Sequence, residues 1–316
     1  MNLNKPKIDI SVIVPIYNEA AVLKALYHRL QQTLTKISDR YEVIFVNDFS
    51  KDDSLSLIKE IAAQDSKVFY LSFSRNFGHQ IAVSAGLDAS NGKAVVIIDG
   101  DLQDPPELIA ELYAKYKEGF EVVYARRESR KGESWFKRIT ASMFYRILQN
   151  LAQIDIPLDT GDFRLIDKVV VEQLKQMPEK NKFLRGQIAW LGFRQTAVLF
   201  HRDERKHGKT GYTFAKMLRF ALDGITGFSD KPLQFVSRLG FFFSFVSFVI
   251  ILYACYSYFI LHRTITGWTS IIISSMFIGG VQLISIGIIG EYISRINTNV
   301  QNRPLYVIQE SNLTEV

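Results

Sequence analysis

Cysteine is all but absent: Cys255 is the one cysteine in 316 residues. An intramolecular disulfide is therefore impossible. Two phosphate-binding signatures are missing as well. Neither G-x-G-x-x-G nor G-x-x-x-x-G-K-[ST] occurs, which argues against a dinucleotide site or a P-loop. The net charge of +6 suits an anionic partner. With no basic helix, RNA-binding motif or zinc finger, however, nucleic acid is not an expected partner. Internal repeats and low-complexity stretches are lacking. The apolar run over 8–16 is short and broken by Asp9, so no signal peptide is expected.

The most telling absence is of charge. No charged residue stands in 239–261 or in 267–290. At 1.5 Å per helical residue each run is long enough to cross about 30 Å of hydrocarbon. The short link between them, with His262 and Arg263, allows only a tight turn. The pattern predicts a transmembrane hairpin with both flanks on one side. Arg219, Lys231 and Arg238 precede it and Arg295 and Arg303 follow it, against Arg263 in the turn. The positive-inside rule puts the domain in front of the hairpin and both termini in the cytoplasm. The mean hydropathy of +0.05 averages a polar front and an apolar back. The expected organisation is a cytoplasmic domain over 1–212, amphipathic juxtamembrane helices over 213–232, two spans within 233–292 and a cytoplasmic tail over 293–316. The spans also offer a surface for homo-oligomerisation.

The front of the chain alternates. Apolar β-branched runs at 8–14, 41–46, 68–73, 94–98 and 121–124 read as strands. Helical patterns fall at 19–34, 52–63, 78–89 and 106–118. Such alternation predicts an α/β fold with a doubly wound, mainly parallel sheet. Ligands bind such sheets at the carboxyl ends of the strands. Polar clusters stand at those ends: Tyr17-Asn18-Glu19, Asn47-Asp48, Arg75-Asn76 and Asp99-Gly100-Asp101. Two carboxylates two residues apart past a strand end suit one hard divalent cation that keeps positions open for phosphate oxygens. Gln103 adds a neutral oxygen, and Pro105-Pro106 can start a helix. Segments 135–151 (which includes Trp135) and 214–228 mix Phe with Lys and Arg at helical spacing, as core helices or as helices lying in a headgroup layer.

Several segments together carry a family resemblance. They are Val14-Pro15-Ile16-Tyr17-Asn18-Glu19, Val46-Asn47-Asp48-Phe49-Ser50-Lys51-Asp52, Ser74-Arg75-Asn76-Phe77-Gly78-His79-Gln80 and Asp99-Gly100-Asp101-Leu102-Gln103-Asp104-Pro105-Pro106-Glu107. Asp159-Thr160-Gly161-Asp162-Phe163-Arg164-Leu165 and Arg205-Lys206-His207-Gly208-Lys209-Thr210-Gly211-Tyr212 complete the set. The chain resembles the inverting family 2 glycosyltransferases of GT-A fold. Within them it is similar to the polyprenyl-phosphate branch, which includes dolichol-phosphate mannose synthases and bacterial bactoprenol glucosyltransferases. It departs from the family's frequent pattern at Asn47 (often Asp), Phe49 (often Gly) and Gly211 (often Lys).

The resemblance implies transfer of one sugar from a nucleotide sugar, UDP-glucose before GDP-mannose, to a polyprenyl phosphate such as undecaprenyl phosphate. The location implied is the bacterial cytoplasmic membrane. It implies that Pro15, Tyr17, Glu19, Asp48 and Arg75 hold the nucleotide, together with Asp99 and Asp101. It further implies that Asp99, Asp101 and Gln103 hold Mg2+ or Mn2+. A cationic cradle for the lipid phosphate is expected from Arg126, Arg138, Arg205 and Lys209. Asp159 and Asp162 stand beside the acceptor; one orients it or takes a proton, or Asp162 pairs with Arg164 or another basic residue as a structural contact. A processive polysaccharide synthase would carry Q-x-x-R-W, whereas Gln187-Ile188-Ala189-Trp190 lacks the Arg. A non-catalytic scaffold would have lost the metal carboxylates, and Asp99 and Asp101 are both present.

Overall fold

The computed structural model describes residues 8–127, 160–200, 229, 231–260 and 267–313. The described chain forms two units. The first holds the sheet, its helices and the segment from Arg303 onward; the second holds two long apolar helices.

The first unit begins β1(Ile10–Ile16), α1(Ala20–Ile37), β2(Tyr41–Asn47), α2(Ser54–Gln64), β3(Val68–Phe73), α3(His79–Ala89) and β4(Ala94–Ile97). A 3₁₀ turn at Pro106–Leu108 then leads into α4(Ile109–Lys117) and β5(Val122–Arg127). After the first stretch outside the described residues come β6(Thr160–Asp167), α5(Lys168–Gln176), α6(Leu184–Leu191) and β7(Gln195–Phe200). The last strand is β8(Ile308–Ser311).

These strands make one sheet in the order β7-β5-β6-β4-β1-β2-β3-β8. Pairs β1–β2, β1–β4, β2–β3 and β5–β7 are parallel, and β4–β6, β5–β6 and β3–β8 antiparallel. Every residue of β1 and β2 is buried because both faces of the sheet are covered. The alternation of side chains divides them between two cores. Val12, Val14, Val43 and Phe45 join one core with Leu23, Leu26 and Leu30 of α1, Ile58 of α2 and Leu112 of α4. Ile13, Ile44 and Val46 join the other with Ala82 and Val83 of α3, Val170 of α5 and Ile188 of α6.

The first four strands run where their patterns predict, with shifted ends. The first extends to Ile16 instead of stopping at Val14, although Pro15 has no N–H to give a sheet. The register explains it. On one side Pro15 lies opposite Val46, while on the other β4 pairs only as far as Ile13. Three strands, β6, β7 and β8, have no counterpart in the alternation pattern.

The chain passes from β1 to β2 and β3 on one side, then crosses back to β4 on the other side of β1. That reversal opens a crevice at the carboxyl ends of β1 and β4, the switch point where ligands bind in open α/β sheets.

In the second unit, α7(Lys231–Phe259) has 29 residues and α8(Trp268–Val300) has 33. Within them, Lys231–Ile250 and Ser274–Val300 are apolar enough to cross a membrane and are not buried by protein. Phe243 and Phe277 meet edge to face between the two helices, with centroids 5.5 Å apart. Both helices outrun the uncharged stretches that predict them. Lys231, Arg238, Glu291 and Arg295 are taken up at the helix ends, where long charged side chains reach back toward an interface.

Candidate active site

Four strand ends build the rim of the crevice. Past β1, Tyr17 is 46% exposed and Asn18 has φ 58°. Past β2, Phe49 has φ 60°, and past β4, Leu102 has φ 57°. Three non-glycine residues in the left-handed region on one rim store strain of order 1–3 kcal/mol each, a pattern that gathers at functional sites. Hydrogen bonds stitch the first two ends together. Asn18 N donates to Ser50 Oγ at 3.0 Å, Lys51 N to Asn18 Oδ1 at 2.7 Å and Ala20 N to Asp52 Oδ2 at 3.0 Å.

Asp48 is buried, and its carboxylate accepts the N–H groups of Phe77 at 2.7 Å and Gly78 at 2.9 Å. Burial pushes its carboxyl up, against the pull of those two bonds and of the His79 charge. Asp48 is therefore the anchor of the turn that follows β3. Gly78, at φ 98°, supplies a conformation that other residues rarely adopt. Arg75 on the same turn lays its guanidinium over the Phe77 ring, 4.6 Å from the centroid.

The Asp99-Gly100-Asp101 turn sits against the end of β1. A Cβ on Gly100 would stand 2.5 Å from Ile16 Cδ1 and 3.0 Å from Pro15 O, so a side chain there would push on the end of β1 from between the two carboxylates. Asp101 Oδ1 accepts the Gln103 N–H at 3.1 Å, which closes the turn. Asp99 Oδ1 is a buried acceptor without a hydrogen bond. Among the described residues the basic side chain beside it is His79, whose Nε2 lies 3.5 Å away. Burial, which His79 offsets only in part, and the charges of Asp162, Asp104 and Asp101 push the Asp99 carboxyl up to about 6.

Asp162 reaches this place through the register of β6. The antiparallel pairs Ala94↔Asp167 and Ile97↔Arg164 advance one residue on β4 for each residue back on β6, which sets Asp162 opposite Asp99. Arg185 Nε donates to Asp162 Oδ1 at 2.7 Å. His79 Nε2 and Gln80 Nε2 each meet Oδ2 at 3.1 Å. Gln80 Oε1 in turn accepts Leu184 N at 3.2 Å, tying α3 to the start of α6. Burial alone would push Asp162 up, but Arg185 and His79 hold it well below the usual carboxylate range. Burial would lower His79, yet its bond to Asp162 and the Asp99 charge raise it to about 9. The imidazole is therefore cationic at neutral pH.

The basic side chains that pair with the Asp162 carboxylate are Arg185 and His79, not Arg164. Arg164 instead donates to the Asp162 and Gly161 carbonyls, at 3.3 and 3.0 Å. Arg126 is exposed at the end of β5, paired with Thr160, and so stands on the same rim as Asp162. Asp159, Arg138, Arg205 and Lys209 lie outside the described residues, as do both amphipathic segments. His79 and Gln80 went unassigned in the sequence although they belong to a segment quoted there. No sequence signal points to Arg185.

The donor set suits a hard divalent cation: two aspartates and a glutamine on one short turn, one aspartate with an unmatched buried oxygen. Among the described residues no group of three His, Cys, Asp or Glu side chains is placed to hold a metal ion by itself. A site of this kind uses one or two carboxylates and draws its other ligands from substrate and water.

Residues 11–175 match the model of Glycosyl transferase family 2. The chain is 49% identical over 304 residues to an uncharacterized glycosyltransferase, YkcC, of Bacillus subtilis (strain 168), covering 96% of this chain and 94% of that one. It is 39% identical over 302 residues to the bactoprenol glucosyl transferase of Shigella phage SfII, covering 96% and 98%. Among solved structures, a mannosyltransferase from Pyrobaculum calidifontis in complex with GDP-Man and Mn2+ is 18% identical, covers 70% of each chain and gives a TM-score of 0.48. On the family match and on these near full-length sequence relatives, the chain belongs to glycosyl transferase family 2 and is a glycosyltransferase.

Proposed function

We propose that the protein transfers a single glucose from UDP-glucose to a polyprenyl phosphate at the cytoplasmic face of a membrane. The observation that carries this reading is the meeting at one switch point of the Asp99–Asp101 turn with Asp162, His79 and Arg185. The near full-length similarity to a bactoprenol glucosyl transferase, through the two long apolar helices, supports the lipid acceptor.

The residues divide the work by position. Tyr17 and Glu19 meet the base and ribose, and Arg75 faces the diphosphate. Asp99, Asp101 and Gln103 hold Mg2+ or Mn2+, which when bound supplies Lewis-acid neutralisation of the diphosphate leaving group. Arg126, with Arg138, Arg205 and Lys209, holds the lipid phosphate. Its second pKa is about 6, so near neutral pH it is already mostly dianionic. The acceptor thus needs little deprotonation, and Asp162, with its charge held by Arg185 and His79, orients the acceptor instead of taking a proton. A phosphate oxygen forms the new bond to the anomeric carbon as the bond to the diphosphate breaks. The leaving oxygen carries away the electron pair.

One displacement inverts the anomeric centre, so an α-linked nucleotide sugar is expected to yield a β-linked lipid product. NMR of the extracted lipid reads this directly, and an α-linked product would rule out a single displacement. The decisive assay offers membranes a panel of labelled nucleotide sugars with undecaprenyl phosphate, followed by lipid extraction. Label from UDP-glucose is expected in the lipid phase; label from GDP-mannose alone would move the donor assignment.

Topology has its own support. The chain leaves the first unit before the two apolar helices and rejoins its sheet as β8 after them. A two-span hairpin meets that demand, since both of its ends emerge on one side. The basic residues at those ends favour the cytoplasmic side.

A pH dependence follows from Asp99. A cation must displace the proton that Asp99 holds below about 6. Mn2+ affinity, measured by calorimetry on the purified protein, is expected to be flat above that pH. Below it, affinity should weaken by about tenfold per pH unit, since one proton competes. Unchanged affinity across the same range would remove Asp99 from the metal site.

A further inference from the structure

After the apolar helices the chain returns to the sheet by an unusual route. β8 is only four residues long, and it pairs antiparallel with β3 through Leu71↔Ser311, Ser72↔Glu310 and Phe73↔Ile308. The register slips between Ser72 and Phe73, a bulge that re-aims the strand where it ends. The Asn312 side chain extends the ladder at one end: Oδ1 accepts Tyr70 N at 2.7 Å and Nδ2 donates to Val68 O at 3.0 Å. Glu310 pairs with Lys59 of α2 at 2.7 Å.

Covering the edge of β3 needs no more than these contacts. The residues just before β8 do something else. Val307 O accepts the N–H of Ser74 at 3.0 Å, past the end of β3. The Tyr306 ring stacks on Phe73, with centroids 5.3 Å apart and planes 20° from parallel. Phe73 meets Phe77 edge-on at 5.5 Å, and Phe77 carries the Arg75 guanidinium. The Tyr306 hydroxyl donates to Asp88 Oδ2 at 3.0 Å, which joins the same ring to α3. A continuous line of ring contacts, one stacked and one edge-on, therefore runs from Tyr306 through two phenylalanines to Arg75. The turn it supports is the one whose Phe77 and Gly78 N–H groups grip Asp48.

We propose that residues 303–313 brace the donor side of the active site, with Tyr306 as a positioning residue for Arg75 and the 76–78 turn. The proposal rests on the reading that this turn contacts the nucleotide sugar. The Gly78 carbonyl accepts the Ile81 and Ala82 N–H groups of α3 at 3.0 Å each; on its other side the turn hydrogen-bonds to the carboxylate and the carbonyl of Asp48. Without the Tyr306 ring, Phe73 loses the flat surface that sets its angle, and through Phe73 the support of Phe77 and Arg75 is loosened.

The test uses the full chain in nanodiscs, comparing wild type, Tyr306→Ala and Tyr306→Phe. Two readouts are taken: donor and acceptor kinetics, and hydrogen exchange of a peptide over 73–78 against one over β1. An aromatic pair is worth up to about tenfold in an equilibrium constant. Tyr306→Ala is expected to raise the donor KM and to speed exchange over 73–78 by about that factor. Exchange in β1 should stay the same, and the acceptor KM should move by less than about twofold, as remote sites do. Tyr306→Phe keeps the stack and is expected to recover most of the donor KM.

Unchanged exchange over 73–78 in Tyr306→Ala overturns the brace. Faster exchange with an unchanged donor KM overturns the positioning role and takes the turn out of the donor site, while leaving the mechanical contact in place. Equal losses in both KM values, or faster exchange in β1 as well, overturn the proposal in favour of general destabilisation. Should Tyr306→Ala not fold, Tyr306→Leu keeps apolar volume against Phe73 without the flat ring and is read the same way.

Discussion

Asp101→Asn is expected to remove nearly all sugar transfer while leaving the protein folded and membrane-inserted. The variant keeps the side chain's shape and an acceptor oxygen, so the turn closed by the Gln103 N–H can persist. What it loses is charge at the point where two anionic substrates must meet. A bound cation supplies several kcal/mol of charge stabilisation at such a point. At about 1.4 kcal/mol per decade, losing half of that lowers kcat by about 10²–10³. Excess EDTA should reproduce the loss in the wild type, and Mn2+ or Mg2+ should restore it. The check is lipid-extractable label from UDP-glucose, with the thermal transition of the same sample as control. Full turnover in EDTA, or in a folded Asp101→Asn protein, would dismiss the metal from the reaction.

The second large effect is expected at Asp162. Its side chain is only 14% exposed, and Arg185, itself 25% exposed, spends its Nε on it. Asp162→Asn takes away the carboxylate that Arg185 and His79 share and leaves Asp99, 3.5 Å from His79 Nε2, to balance part of their charge. Breaking a buried pair on one side costs about 3–5 kcal/mol; partial exposure of Arg185 reduces that to about 2–3 kcal/mol here. The sign of the pH dependence follows from the depressed Asp162 value. A carboxyl held below its unfolded value near 3.9 stabilises the fold fully above that pH, and the contribution fades as pH falls through the folded value. The stability gap between wild type and Asp162→Asn should therefore be full at neutral pH and narrow in acid. A gap that stays constant down to about pH 3 would mean that packing, not charge, is responsible. Transfer is expected to fall as well, because Asp162 and Asp99 share His79 and any drift of one moves the other.

Legibility differed from element to element for physical reasons. β1 to β4 are β-branched, buried on both faces and joined by amphipathic helices, so local pattern suffices. β6 (TGDFRLID) mixes charges into its run. It is a strand because β4 and β5 pair with both of its edges, and that pairing spans dozens of residues. β8 (IQES) carries no apolar run at all. Its place is decided by the vacant edge of β3 and by Tyr306, Ile308 and Leu313 packing on the second core. At the site, the aspartates were legible because they cluster in short motifs at strand ends. The partners of Asp162 were not: Arg185 sits in an ordinary helix 23 residues further on.

By itself, then, the sequence determined the alternating α/β front, the two uncharged spans, the strand ends that carry polar residues and the family they resemble. All of these are written in neighbouring residues, where period and charge act over a few positions. Only the tertiary structure decided that Asp162 faces Asp99, that Arg185 and His79 hold its charge, that Asp48 grips a turn, and that the tail comes back to support that turn. Those outcomes depend on strand register and chain return. Register is set by the sum of many weak contacts between segments far apart in the chain, and no local pattern records that sum.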